Sequence, residues 1–254
     1  MNAGSLRIVG LGPGPALWVT PEATAALEEA SDLVGYGPYL DRLAPRAGQR
    51  RHVSDNRVEM TRARDALALA ASGASVALVS GGDPGVFAMA AAVFEAIEQG
   101  EPAWRALDIA VAPGITAMQA AAARLGAPLG HDFCAISLSD NLKPWDIVAR
   151  RLKAAAEGDF VIALYNPASG ARPTRIHDAF ALLRAGKAAQ TPVAFARAIG
   201  RADERITLAT LADADPGLAD MSTLVLVGSS QTRLVARAEG RPWLLTPRSY
   251  EPAR

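Results

Sequence analysis

Three short segments rich in glycine and proline constrain this chain more than any other feature. They read Val9-Gly10-Leu11-Gly12-Pro13-Gly14-Pro15, Ser80-Gly81-Gly82-Asp83-Pro84-Gly85 and Ala112-Pro113-Gly114-Ile115-Thr116-Ala117. Each follows an apolar run and precedes a helix-like stretch, where a parallel strand hands over to its crossover helix. In an open α/β sheet the carboxyl ends of parallel strands gather on one edge, where ligands bind. Glycine lets backbone approach a ligand closely, so three such loops predict a ligand held mainly by main chain.

The rest of the chain supports an α/β fold. Strands are expected at Leu6–Val9, from Asp32, over Ser75–Val79 and over Leu107–Val111, alternating with helices that start near Thr20-Pro21, Arg57, Val86 and Ile115. Thr20 before Pro21 reads as an N-cap followed by proline at the first helical position. Gly126-Ala127-Pro128-Leu129-Gly130 breaks the alternation and is the expected hinge. Beyond it come strands at Phe133–Leu138 and Phe160–Tyr165 with helices at Trp145–Ala156 and Arg175–Ala185. Strands at Pro192–Ala198, Arg205–Ala209 and Thr223–Val227 follow, with links too short for helical crossovers, so this part is mixed or antiparallel. The expectation is two α/β domains, residues 1–127 and 128–254, with a cleft between them.

Composition narrows the function. Half of the 254 residues are hydrophobic, which places the chain among globular proteins. No apolar run reaches the roughly 18–20 residues of a membrane span, and the first residues lead into a strand with no signal-peptide pattern; a cytoplasmic protein with no membrane partner is expected. The formal net charge of zero argues against nucleic acid as a partner. The three histidines are scattered, so no metal site is expected. The single cysteine, Cys134, sits in an apolar run and reads as a buried structural thiol. Among the cations only Lys143, Lys153 and Lys187 are lysines, and seven arginines (42, 46, 50, 51, 57, 62 and 64) crowd one stretch. That stretch is either a solvated face or a site for a ligand with several carboxylates, which the guanidinium fork matches.

The first loop resembles a dinucleotide fingerprint but carries Pro15 where a glycine is needed. A phosphate cradle presents backbone N–H groups, and Pro13 and Pro15 have none. Such a loop suits close packing and carbonyl contacts to an adenosine that carries a cation.

Three loops of this kind in order, with the late strands around Pro192 and Thr223, resemble the tetrapyrrole methylases. These are two-domain enzymes of the class III S-adenosylmethionine-dependent fold that methylate uroporphyrinogen and corrin precursors. The segments Val34–Leu40, Ser137–Trp145 and Ala163–Ser169 are similar to the branch that methylates precorrin-3B at C17 and contracts its ring to precorrin-4 in cobalamin biosynthesis. The resemblance implies S-adenosylmethionine as methyl donor, S-adenosylhomocysteine as product, a tetrapyrrole substrate and a homodimer. It implies cofactor contacts from Gly12, Pro13, Gly14, Gly81, Gly82, Asp83, Val86, Thr116, Ala117, Leu164, Tyr165, Ala198 and Ile199. Ser139, Asp140, Asn141, Lys143, Tyr165 and Asn166 are the candidates for proton transfer, with Asp140 also readable as part of a polar turn and helix cap. Tyr36, Arg42, Arg57, Ser169 and Arg172, with Arg175, would face the substrate's carboxylates. The aspartates proposed as bases in the uroporphyrinogen enzymes have no counterpart, since Gly37 and Pro15 stand there. Competing readings are another precorrin or cobalt-precorrin methylase, a diphthine synthase, an rRNA 2′-O-methylase, an NAD-dependent oxidoreductase and a non-catalytic tetrapyrrole- or adenosine-binding module.

Overall fold

The computed structural model describes residues 4–56, 58–168 and 174–250. The chain divides into two compact units, Met1–Thr116 and Ala117–Arg254.

The first unit is built on five strands: β1 (Ser5–Gly10), β2 (Asp32–Tyr36), β3 (Arg50–Ser54), β4 (Ser75–Ser80) and β5 (Asp108–Ala112). They form one sheet in the order β3-β2-β4-β1-β5, parallel throughout. Helices cover both faces, so β4 is an unbroken apolar run. Val76 and Leu78 face α3 (Glu59–Ala71) and α4 (Met89–Gln99), whereas Ala77 and Val79 face α1 (Pro21–Glu29) and α2 (Gly37–Leu40). Thr20 caps α1 by accepting from Ala23 N at 3.1 Å, with Pro21 at the first position as read from sequence. The expected start of a helix at Val86 is not met. Phe87 takes a left-handed φ of 52°, so α4 begins only at Met89. Edge strand β3 was not expected, because its arginine-rich, half-exposed residues lack the apolar pattern of a strand.

The second unit opens with α5 (Ala117–Leu125), which packs on β6 (Gly126–Ala127) and β11 (Thr223–Val227). It therefore begins ahead of the expected hinge at Gly126–Gly130, and part of that hinge is strand β6. A five-stranded sheet follows in the order β10-β9-β11-β8-β7, using β7 (Phe133–Ser137), β8 (Val161–Tyr165), β9 (Pro192–Arg197) and β10 (Arg205–Thr210). Only β7 and β8 pair in parallel; the other neighbours are antiparallel, as the short links required. Helices α6 (Trp145–Glu157) and α7 (Arg175–Gly186) close the core around Phe180, Leu152 and Leu164. Strands β12 (Arg233–Val235) and β13 (Trp243–Leu245) join β6 in a small sheet that sequence reading missed. Cys134 packs half-buried against this core, and burial pushes its thiol up, away from the nucleophilic thiolate. Among the described residues no helix is long and apolar enough to cross a membrane.

One buried charge anchors the amino end of the first sheet. Asp32 is fully buried and accepts from Arg50 Nε at 2.8 Å and Nη2 at 2.7 Å, from His52 Nε2 at 2.8 Å and from Ser31 Oγ at 2.7 Å. The Arg50 guanidinium above all holds this carboxyl well below the usual carboxylate range, against the upward push of burial. A depressed pKa stabilises the folded state above the unfolded pKa of about 3.9, and the benefit is lost as pH falls through the folded pKa. Asp32→Asn is expected to cost about 1–3 kcal/mol at neutral pH. In urea titrations the gap between variant and wild type should narrow steadily below about pH 4; a constant gap down to pH 2 would show that charge plays no part.

Candidate active site

The three glycine-proline loops leave the carboxyl ends of β4, β1 and β5, which are adjacent parallel strands. They meet on one edge and are tied to each other. Leu11 N donates to Ser80 O at 2.9 Å and Gly12 N to Gly82 O at 3.1 Å, joining the first loop to the second. Asp83 Oδ2 accepts from Gly114 N at 3.0 Å, joining the second to the third. Thr20 Oγ1 donates to Pro113 O at 3.1 Å, joining the third loop to the α1 cap. The approach leaves no room for side chains at the crossing. A Cβ on Gly10 would stand 2.8 Å from both Gly114 N and Gly82 O. Gly82 is glycine for a different reason. Its φ is +64°, and a Cβ there would find only Ile115 O, at 4.0 Å. The bare face of Gly82 thus looks onto open space, a cradle that a side chain would fill. Gly81 packs under the Tyr39 ring, which lies edge-on to Tyr36 at 5.4 Å.

Asp83 does not cap α4. Its Oδ1 accepts from Gly85 N at 2.8 Å, making a local turn, while Oδ2 serves the third loop. Arg42, expected to face the substrate, donates to three carbonyls of the first loop: Gly12 O at 2.9 Å, Leu11 O at 2.9 Å and Gly14 O at 2.7 Å. Pro13 and Pro15 remove donors from that loop, and the guanidinium gathers the carbonyls they leave. Gly12, Pro13, Gly14, Gly81, Gly82, Asp83, Val86 and the buried Thr116 therefore all belong to one edge of the first unit.

Three other arginines of the cluster bind groups of the chain itself. Arg50 grips Asp32 at the amino ends of the strands, opposite the loops. Arg51 donates to Leu40 O at 3.1 Å and Leu43 O at 2.8 Å. Arg62 is buried, donating to Ser54 Oγ at 2.7 Å, to Asp55 O, and to Met89 Sδ at 3.3 Å. Arg57, Ser169 and Arg172 lie outside the described residues.

In the second unit β7, β8 and β9 point the same way, because β8 and β9 both run antiparallel to β11. Their carboxyl ends bring Ser137–Asp140, Leu164–Asn166 and Ala198–Gly200 to one sheet edge. The Tyr165 hydroxyl accepts from Met118 N at 3.1 Å, so the start of α5, with Ala117, joins them. Ser137, which sequence reading passed over, is the hub. Its buried hydroxyl accepts from Asn166 Nδ2 at 2.9 Å and from Ser139 N at 3.3 Å. A polar residue ending an apolar strand, in register with Tyr165, was the only signal for it. Asp140 caps no helix; Pro144 precedes α6 without a side-chain cap. Its carboxylate pairs with Arg175 Nε at 2.7 Å, and Arg175 also reaches Asp178 at 3.1 Å and lies 4.7 Å over the Trp145 ring. Asn141 is exposed and Lys143 half-buried in the same loop.

Non-glycine residues with left-handed φ stand at both edges: Phe87 at 52°, Asn166 at 51° and Ala198 at 50°. Asparagine tolerates this region, whereas for alanine and phenylalanine it costs about 1–2 kcal/mol. Such strain persists where surrounding structure imposes it and clusters at functional sites.

The chain is similar to known proteins. The family profile "Tetrapyrrole (Corrin/Porphyrin) Methylases" matches residues 5–215. The chain is 57% identical over 248 residues to the precorrin-3B C(17)-methyltransferase of a Sinorhizobium species, covering 97% of each protein. It is similar to the crystal structure of the methyltransferase CobJ, with a TM-score of 0.92 at 52% identity over 96% of this chain and 100% of that one. Uroporphyrin-III C-methyltransferase from Thermus thermophilus, solved in complex with S-adenosylhomocysteine, shares the fold, with a TM-score of 0.62 at 24% identity over 89% and 92% of the two chains. The chain belongs to the tetrapyrrole methylase family.

Proposed function

We propose that this methyltransferase transfers a methyl group from S-adenosylmethionine to C17 of precorrin-3B and contracts the ring to precorrin-4. The activity named for the Sinorhizobium relative, similar over nearly the whole of both chains, supports the substrate. The observation that carries the cofactor is the interlocked trio of loops with the uncovered face of Gly82. The S-adenosylhomocysteine bound by the Thermus thermophilus enzyme of the same fold supports it further. The reading extends to a homodimer, as the family resemblance implies, and to the cytoplasm.

The residues present fit that cofactor. Gly12, Gly82 and Asp83, with Thr116, offer backbone and one carboxylate at a single edge, and Pro13 and Pro15 take from the first loop two of the N–H donors that a pyrophosphate cradle would present. When bound, S-adenosylmethionine supplies a methyl already activated by its sulfonium. The protein's task is then to hold donor and acceptor carbon about 3–3.5 Å apart and in line, and to keep water out. Loops fixed by four cross-links perform the holding. Arg42 acts through the first loop as a positioning residue, because its three bonds set the carbonyls of Leu11, Gly12 and Gly14.

Ring contraction moves the meso carbon out of the macrocycle as an acetyl group that stays attached to the product, and it needs protons moved around a hydroxyl and a lactone. The hydrogen-bonded Ser137, Asn166 and Ser139, with Tyr165 on the same sheet edge, are suited to this, since their hydroxyls and amide can donate and accept. Asp140, ion-paired with Arg175, can only accept.

The direct test is incubation of the protein with S-adenosylmethionine and precorrin-3B. One added methyl by mass spectrometry, located at C17 by NMR, is the expected outcome; a tetrapyrrole returned unmethylated sinks the reading. Gly82→Val should abolish cofactor binding in calorimetry, while Gly48→Val should not, since Gly48 has the same sign of φ (+80°) and open surroundings in an exposed loop. Equal binding by both variants would remove the cradle from the mechanism. Arg42→Ala should weaken cofactor affinity about tenfold or more, each lost charge-assisted bond being worth roughly 1–3 kcal/mol. The KM for the tetrapyrrole at saturating cofactor should not move. The opposite split would return Arg42 to the substrate, as its place in the arginine cluster suggested.

A further inference from the structure

The turn that follows β9 is strained, and a side chain holds it as well as the main chain. Ala198 and Gly200 both take left-handed φ, 50° and 81°, and Ala198 and Ile199 are buried. Main-chain bonds already close the turn: Ala198 N donates to Ser222 O at 2.9 Å, Arg201 N to Ala198 O at 3.0 Å and Glu204 N to Arg201 O at 3.1 Å. A carboxylate is added to these. Gly200 N donates to Glu204 Oε2 at 2.7 Å, and Arg124 Nε, in the last turn of α5, donates to Glu204 Oε1 at 3.1 Å and Oε2 at 3.3 Å. Both side chains are partly exposed, and an ion pair of that kind adds little to stability. What it fixes is the direction of one backbone N–H and the place of the turn relative to a helix.

That helix reaches two parts of the same edge. Strand β11 lies between β9 and β8, and α5 packs on it. The first turn of α5 is held at Met118 N by the hydroxyl of Tyr165, the last residue of β8. Its last turn is held by Glu204, which stands immediately before β10, where β10 meets the end of β9. Arg241 Nη2 donates to Arg124 O at 2.9 Å and secures that last turn. One helix thus ties the turn after β9 to Tyr165, and the Glu204 carboxylate makes the tie. Strain at a buried alanine persists only where neighbours impose it. We infer that Glu204 is a positioning residue for the methyl donor: through Gly200 N and Arg124 it holds the Ala198–Gly200 turn in the shape that receives the cofactor. The inference rests on the proposed function, with the cofactor contacts expected of Ala198 and Ile199, and adds to it the group that sets them.

The test compares Glu204→Ala and Glu204→Gln with Asp159→Asn in the full chain. Asp159 lies at the amino end of β8, on the opposite edge of the same sheet, where it accepts from Ser230 N at 2.8 Å and from the Tyr250 hydroxyl at 2.7 Å. Its variant reports plain destabilisation. Glu204→Ala should weaken S-adenosylhomocysteine binding in calorimetry about five- to tenfold, the scale of one lost hydrogen bond, and raise the KM for S-adenosylmethionine by a similar factor. The KM for precorrin-3B at saturating cofactor should not move. Glu204→Gln keeps an oxygen for Gly200 N and should recover most of the affinity. Asp159→Asn should lower Tm at least as far as Glu204→Ala does, yet bind S-adenosylhomocysteine like the wild type. Wild-type affinity in Glu204→Ala, a glutamine variant no better than alanine, or equal weakening by Asp159→Asn would each overturn the inference while leaving the proposed function in place. Wild-type protein that binds no S-adenosylhomocysteine would sink the cofactor reading and the inference with it. Failure to methylate precorrin-3B alone would sink the substrate reading, and the calorimetry would still decide on Glu204.

Discussion

Close contact between bare backbones is the constraint on which the first unit's site depends. Gly10, Gly82 and Gly114 approach so nearly that a single methyl at Gly10 would collide with two other loops. Loops usually vary and move because few bonds hold them. These are held by one another, with Asp83 and Arg42 supplying the charge-assisted bonds. The bonds lie between main-chain atoms or from side chain to main chain, so the edge is rigid without bulk, and the space beside Gly82 stays open. A site assembled from protruding side chains would occupy the volume it was meant to offer.

The second unit solves a related problem by different means. Its edge carries a hydroxyl hub, Ser137, that orients an amide and a backbone N–H, and it places Asn166 and Ala198 in left-handed conformations. Burial of Ser137 makes an unpaired hydroxyl expensive, which fixes its partners in place. Asp140 and Arg175 form a local ion pair over Trp145. Polar groups at this edge are thus committed to each other.

The parallel sheet of the first unit was legible because its signals are local. An apolar run, a glycine break and an N-cap such as Thr20-Pro21 each read within a few residues. The three loops were assigned to one edge correctly because parallel strands leave no other choice, and β4, β1 and β5 prove to be neighbours. What failed to read depends on distant partners. Strand β3 is made a strand by β2, since Arg50–Ser54 has no alternation of its own to suggest one. Strand β6 has two residues and exists only because β13, more than a hundred positions later, lies beside it. The start of α4 was missed because sequence gave no sign that Phe87 would leave the right-handed region, where a phenylalanine belongs by default.

The arginines mark the deeper limit on reading chemistry from residue types. A guanidinium fork matches a pair of oxygens, and it cannot be told from sequence whether these belong to a ligand's carboxylate or to two carbonyls of the chain itself. Seven arginines in one stretch suggested a polyanion. Of those described, Arg42 and Arg51 bind carbonyls, Arg50 a buried aspartate and Arg62 a hydroxyl, a carbonyl and a sulfur, while Arg46, 3.8 Å from Glu28, and Arg64 are exposed. The reason is topological. Irregular loops and helix ends at a sheet edge present carbonyls with no backbone donor, and a loop carrying two prolines has fewer donors still. A long cation with five N–H groups is the economical way to satisfy them. A fold that builds its site from proline-glycine loops therefore requires arginines for its own main chain before any are left for a substrate, and the same proline that argues against phosphate argues for a nearby guanidinium.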